Sequence, residues 1–197
     1  MSDMTPEKGA RNLLLNCARA EVGDSLLIAY ESPDFGYFDE GAVDTVASAA
    51  SGLGLNVDRV DVGFNPDNPH LAPELLDRFE AADIILFLAR LGDQLRFSDM
   101  PQGKKIIVSF AINRELFGSG FANGHHDAFM KIKSDINAVL NDATEVRLTC
   151  PLGTDVIGRP EMNLDPDGDV SIQRFPMSVF TPVPSHTFSG RAALRFL

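Results

Sequence analysis

Apolar positions keep two spacings up to about residue 142 and only one afterwards. Ala10, Leu13, Leu14 and Cys17 repeat at i, i+3, i+4 and i+7, which predicts an amphipathic helix broken by Gly23-Asp24. Ser25–Tyr30 (SLLIAY) follows as a continuous apolar run, the mark of a strand buried on both faces. Val43, Val46, Ala47 and Ala50 then predict a second helix, closed by Gly52 and Gly54. Further strands are predicted at Asn56–Val62, Asp83–Leu88 and Lys105–Phe110. Between the first two of these, Pro73 and Glu74 open a helix carrying Leu75, Leu76 and Phe79. Phe129, Ile132, Ile136 and Val139 predict the longest helix, ending near Asn141. Strands alternating with helices predict an α/β domain over residues 1–142, with a mainly parallel, Rossmann-like sheet covered by helices on both faces. Leu27, Val60, Ile85, Leu86, Ile107 and Phe129 are the expected core.

From Ala143 onward the helical period is gone. Val146, Leu148 and Cys150 alternate with Glu145, Arg147 and Thr149, which predicts a half-buried strand. Pro151-Leu152-Gly153 turns the chain, and Thr154–Ile157 reads as a second short strand. Turn clusters recur at Asp165-Pro166-Asp167-Gly168 and at Pro182-Val183-Pro184-Ser185. Residues 143–197 are therefore expected to form a small β-rich region. It closes on the apolar RAALRFL, a terminal strand that needs a neighbour in this chain, in a partner, or in a longer protein.

Composition narrows the partners. The chain has 28 acidic and 17 basic residues, a net charge of −11. That field repels a phosphate backbone, so nucleic acid is not an expected partner. No apolar run approaches the ~20 residues of a membrane span, so no membrane partner is expected either. The N-terminus lacks a signal-peptide pattern, and a cytoplasmic location is expected. Cys17 and Cys150 are expected as two buried, reduced thiols.

Most candidate motifs dissolve on inspection. Gly52-x-Gly54 follows a helix and precedes a strand, the reverse of a dinucleotide fingerprint, and Gly118-x-Gly120 reads as a flexible loop. Asn163-x-Asp165-x-Asp167-Gly168 begins like a calcium loop, but Arg174 stands where the bidentate glutamate belongs, so a hairpin turn is expected. His70, His125, His126 and His186 lack metal-site spacing, and no serine elbow occurs. No metal or other cofactor is expected. What remains is the set of loops after the strands, where open α/β sheets bind ligands. They offer Tyr37 and Phe38 after the first strand, Arg90 after the third, and Asn113 and Arg114 after the fourth.

Three segments carry a family resemblance: NLLLNCARAEVGDSLLIAY, EVRLTCPLGTDVIGR and RFPMSVFTPVPSHTFSGRAALRF. Their order resembles the N-terminal part of the thermophilic aminopeptidases (the T and S type of metallopeptidase) and of the dihydroxypyridine ring-opening dioxygenases. The second segment is similar to that family's strand, Gly-Thr-Asp, strand, Gly-Arg element. The third is similar to its proline–glycine–glutamate segment. Counting on from Pro176, Val179 stands at the position of the family's metal-binding glutamate. The other metal ligands of the family lie beyond the length of this chain. The resemblance therefore implies the scaffold without the metal site. Shortened hydrolases of this kind act as peptide-binding accessory proteins in crocagin-type ribosomal peptide pathways, which implies peptide binding and a modifying enzyme as partner. The alternative is a subunit or fragment of a metal-dependent aminopeptidase or ring-opening dioxygenase.

The expected mode is strand addition at a sheet edge, with Phe175, Met177, Val179 and Phe180 as the residues to line pockets for the added peptide, and core packing as the alternative role for any one of them. The same edge would otherwise join two copies as a homodimer.

Overall fold

Thr5 accepts a hydrogen bond from the Lys8 N–H and Pro6 occupies the first turn, so α1 (Pro6–Asn12) starts at a defined cap. These come from a computed structural model, which describes residues 4–67, 70–95, 103–158 and 178–180. The predicted first helix does not run on as one α-helix. Its second half, Leu13–Cys17, widens into a π-helical turn, with the Ala18 N–H donating to the Leu13 carbonyl at 2.8 Å. Leu13, Leu14 and Cys17 are all buried there.

The predicted strands hold to within a residue: β1 (Ser25–Tyr30), β2 (Asn56–Asp61), β3 (Ile84–Leu88) and β4 (Lys105–Ser109). All pair in parallel, in the order β2-β1-β3-β4, and a three-residue strand, Ser178–Phe180, adds to β4 as a fifth. The alternation of side chains divides the core into two layers. Leu26, Ile28, Ile84, Leu86 and Ile107 face one way, toward α1 and α2 (Glu40–Ser51). Leu27, Ala29, Ile85, Phe87 and Val108 face the other, toward α3 (Leu76–Ala81) and α4 (Arg90–Leu95). This is the mixed α/β architecture with helices on both faces of a parallel sheet. Asp39 caps α2 through its carboxylate on the Ala42 N–H, and Gly54, at φ +78°, supplies the left-handed residue that returns the chain to β2.

Three short helices escape the periodicity: α4 itself, α5 (Arg114–Phe117) and α6 (Gly120–Asn123). The Gly118-x-Gly120 loop is the turn between α5 and α6, with Ser119 capping the latter.

The chain divides into two units, the first holding residues up to Ala128 together with the strand at 178–180. The second begins at Phe129, within α7 (His126–Asp142). It contains an antiparallel ribbon of β5 (Val146–Thr149) and β6 (Asp155–Gly158), with Arg147 paired to Asp155 across it at 2.7 Å. Two expectations change here. Phe129 is only half-buried, and Ile132 and Val139 are exposed, so α7 presents apolar side chains to solvent where a core face was expected. Cys150 is exposed, not buried, because it lies past the end of β5 in the Cys150–Thr154 turn. Among the described residues no helix is long and apolar enough to cross a membrane. The predicted turns at 165–168 and 182–185 and the terminal RAALRFL lie outside the described residues. The short strand paired to β4 is β7 (Ser178–Phe180).

Candidate functional site

The strand order carries the first clue. The chain passes from β1 outward to β2, then returns to the other side of β1 for β3. Beyond the carboxyl ends of β1 and β3 the crossovers diverge, and open α/β sheets place their ligand crevice at such a point. Glu31 follows β1 there, and Arg90 follows β3 at the start of α4.

These two residues form an ion pair whose carboxylate is buried. The Glu31 side chain is 0% exposed. The Arg90 backbone N–H donates to its Oε2 at 2.9 Å, Nε donates to both oxygens at 3.0 and 3.1 Å, and Nη2 lies 2.9 Å from Oε1. A carboxylate removed from water demands such satisfaction, and the forked guanidinium supplies it with two parallel bonds. Aromatic rings hold the guanidinium flat. Its central carbon stands 3.4 Å from the Phe64 ring centroid and 5.1 Å from that of Tyr37, within cation–π range. Phe35 packs edge-on against Phe64 at 6.3 Å, and Tyr37 against Phe38 at 5.2 Å.

Arg90, but not its partner Glu31, lines a cleft of about 280 Å³. Tyr37, Phe38, Phe64 and Phe110 make its aromatic walls, and Arg90, Asp93, Gln94 and Ser109 its polar lining. Ser109 is fully buried and its Oγ accepts from the Ala111 N–H at 3.2 Å. Gln94 Oε1 is buried without a hydrogen-bond partner among the described residues. Such an orphan costs stability, and is a feature that calls for an explanation. Gly92 explains how close α4 comes: a Cβ there would lie 2.4 Å from Phe87 Cβ, so only glycine lets the helix seat on β3.

The cleft gathers three of the residues predicted from sequence, Tyr37, Phe38 and Arg90. Asn113 instead caps α5, accepting from the Leu116 N–H at 2.8 Å, and Arg114 bonds to Thr45 and Glu7. Phe180 is buried and stacks on Phe117, with centroids 6.3 Å apart. Val179 stands opposite Val108 in the β4–β7 register. Phe175 and Met177 lie outside the described residues. Glu31, Phe64, Gln94 and Ser109 were not singled out by the sequence. Glu31 alone had a signal, as the acid that closes a buried strand.

Other titratable groups play different parts. Burial pushes the Cys17 thiol up to about 12, which makes it inert. A hydrogen bond from Thr154 holds the exposed Cys150 thiol below its ordinary value. Burial lowers His126 from its usual range. Among the described residues no three His, Cys, Asp or Glu side chains gather as a metal-ligand set.

No family model matches the chain, and no curated protein sequence matches it. Solved structures do. 2,5-Dihydroxypyridine dioxygenase from Pseudomonas putida is 16% identical, with a TM-score of 0.51, over 79% of this chain and 47% of that one. A fatty acid ABC transporter substrate-binding protein from Thermomonospora curvata is 21% identical, with a TM-score of 0.39, over 62% of this chain and 32% of that one. A ureidoglycine–glyoxylate aminotransferase from Bacillus subtilis is 16% identical, with a TM-score of 0.32, over 59% of this chain and 31% of that one. This chain thus spans about half the length of the dioxygenase. The first likeness is one of fold alone, and none of these structures supports the aminopeptidase or crocagin-type part of the resemblance noted in the sequence.

Proposed function

We propose that this chain is a non-catalytic peptide-binding protein that seats one residue of its peptide in the cleft at the β1–β3 crossover. The observation that carries this reading is the neutralised Arg90. Glu31 cancels its charge and occupies Nε and Nη2. A guanidinium has five N–H donors, and Nη1 has no partner among the described residues. Donors without net charge, set among aromatic walls, suit a peptide group and an apolar side chain better than they suit an anion. At about 280 Å³ the cleft sits at the small end of ligand pockets, room for one residue and not for a long segment. In this reading the rest of the peptide pairs along the sheet edge beyond β7, where homodimerisation competes with it, and the bound peptide is presented to a modifying enzyme in the cytoplasm.

Selection of a random-sequence peptide display library tests this. Peptides enriched on the protein should lose at least tenfold in affinity for a Tyr37→Ala, Phe64→Ala variant that keeps its folded circular-dichroism spectrum. Enriched peptides indifferent to that variant, or no enrichment at all, would refute the reading. The likeness to the dioxygenase favours a second reading, a piece of a metal-dependent enzyme whose ligands come from elsewhere. Stoichiometric iron or zinc in the purified protein, with turnover of a ring or peptide substrate, would decide for it.

A further inference from the structure

We infer that the group this cleft is built to hold is an uncharged carboxamide: in a peptide, an Asn or Gln side chain or a main-chain amide. The inference names the chemistry within the peptide-binding reading and depends on that reading only for what carries the amide. Three observations lead to it. The first is an acceptor. Gln94 lines the cleft, and its buried Oε1 has no hydrogen-bond partner among the described residues, so it is an acceptor that an incoming N–H or O–H would satisfy. The second is a donor on the same cleft wall. Among the described residues Arg90 keeps Nη1 after Glu31 has taken Nε and Nη2. A carboxamide carries both halves of that complement, an N–H for Gln94 and a carbonyl oxygen for Arg90.

The third observation is charge. Arg90 is offset by the buried carboxylate of Glu31. A carboxylate ligand would meet a site with no net positive charge, in a chain of net charge −11. It would also leave Gln94 Oε1 facing another acceptor. An amidinium brings donors only, and would face Arg90 with a second cation. The aromatic walls add a preference for an amide attached to a flat or apolar body.

The test uses three small probes of one shape, benzamide, benzoate and benzamidine, titrated into the full isotopically labelled chain and followed on the backbone amides of Tyr37, Gln94 and Ser109. Benzamide should shift these resonances and bind at least tenfold tighter than either charged probe. Benzoate or benzamidine binding as tightly as benzamide, or no probe perturbing those amides, overturns the inference. A second measurement separates a ligand-binding Gln94 from a structural one. Gln94→Leu removes the orphan oxygen, so it should raise Tm by roughly 2–4 °C while weakening benzamide by roughly 3- to 10-fold. Gln94→Met is made beside it in case the branched side chain is not accommodated. A lowered Tm in both, or unchanged benzamide affinity, counts against the inference. The two readings fail separately. Benzamide held in the cleft, but not displaced by any selected peptide, sinks the peptide and spares the carboxamide. Selected peptides that need the cleft while benzamide is ignored do the opposite.

Discussion

The two ends of the parallel sheet are built from the same strands and yet differ in kind. At the amino ends polar groups meet one another. Ser25 and Asp83 exchange three bonds of 2.6 to 2.9 Å, Lys105 Nζ reaches Asp24 at 3.1 Å and the Arg19 carbonyl at 2.8 Å, and Asn56 donates to the Gly23 carbonyl at 2.9 Å. Most of these groups lie at the surface, where each pair stabilises little. At the carboxyl ends, among the described residues, polar groups are more buried and incompletely matched: a bidentate ion pair among aromatic rings, and an orphan oxygen. An end that closes on itself is architecture. An end that retains unused donors and acceptors, at a structural cost, is where a ligand belongs.

The sharpest way to break this contrast is Arg90→Ala. It strands a fully buried carboxylate, and should lower unfolding free energy in urea by about 3–5 kcal/mol. The double replacement Glu31→Leu, Arg90→Met should recover most of that loss, since apolar side chains of similar bulk often substitute for a buried pair without cost. Additive losses in the double variant would mean that the two residues do not act as a pair. Neither variant should bind benzamide as the parent does.

A smaller effect is expected at Gly92. The added methyl of Gly92→Ala would overlap Phe87 and push α4 off β3, at about 1–3 kcal/mol. Because α4 carries both Arg90 and Gln94, cleft binding should fall together with stability. A variant as stable as the parent, with the cleft intact, would show that α4 does not depend on that close approach.

How much of this was legible in the sequence follows from what each part rests on. The strands were legible because SLLIAY, DIILFL and KIIVSF are apolar runs that can only be buried on both faces. Tyr37, Phe38 and Arg90 could be placed because the end of a parallel strand fixes where its loop emerges. Their partners could not. Glu31 meets Arg90 across 59 residues of chain, a pairing set by strand order and by no local pattern. Gln94 lies on α4, six residues long, too short for its periodicity to be read. The long apolar pattern of α7 misled for a related reason: helical spacing marks a face that can pack, and Ile132 and Val139 on that face are exposed.

The smallest effect, at the amino end, turns on pH. The Asp83 carboxylate accepts Ser25 Oγ–H at 2.6 Å and Ser25 N–H at 2.9 Å. These bonds favour its ionised form and hold it below its ordinary value of 3.8. A carboxyl whose folded pKa is depressed contributes stability above its unfolded pKa and loses it as pH falls through the folded one. Asp83→Asn keeps the shape but removes that titration. The parent should therefore be the more stable at neutral pH, and the gap between the urea midpoints should narrow below about pH 4. Glu7, Asp58, Asp127 and Asp155 are also held low, but they titrate in both proteins and cancel from the difference. A gap that stays constant down to acid pH would mean that the Ser25 bonds do not distinguish the two forms of the carboxyl. Gln94→Leu, at the opposite end, replaces a group that does not titrate, so its effect on stability should be the same across this range.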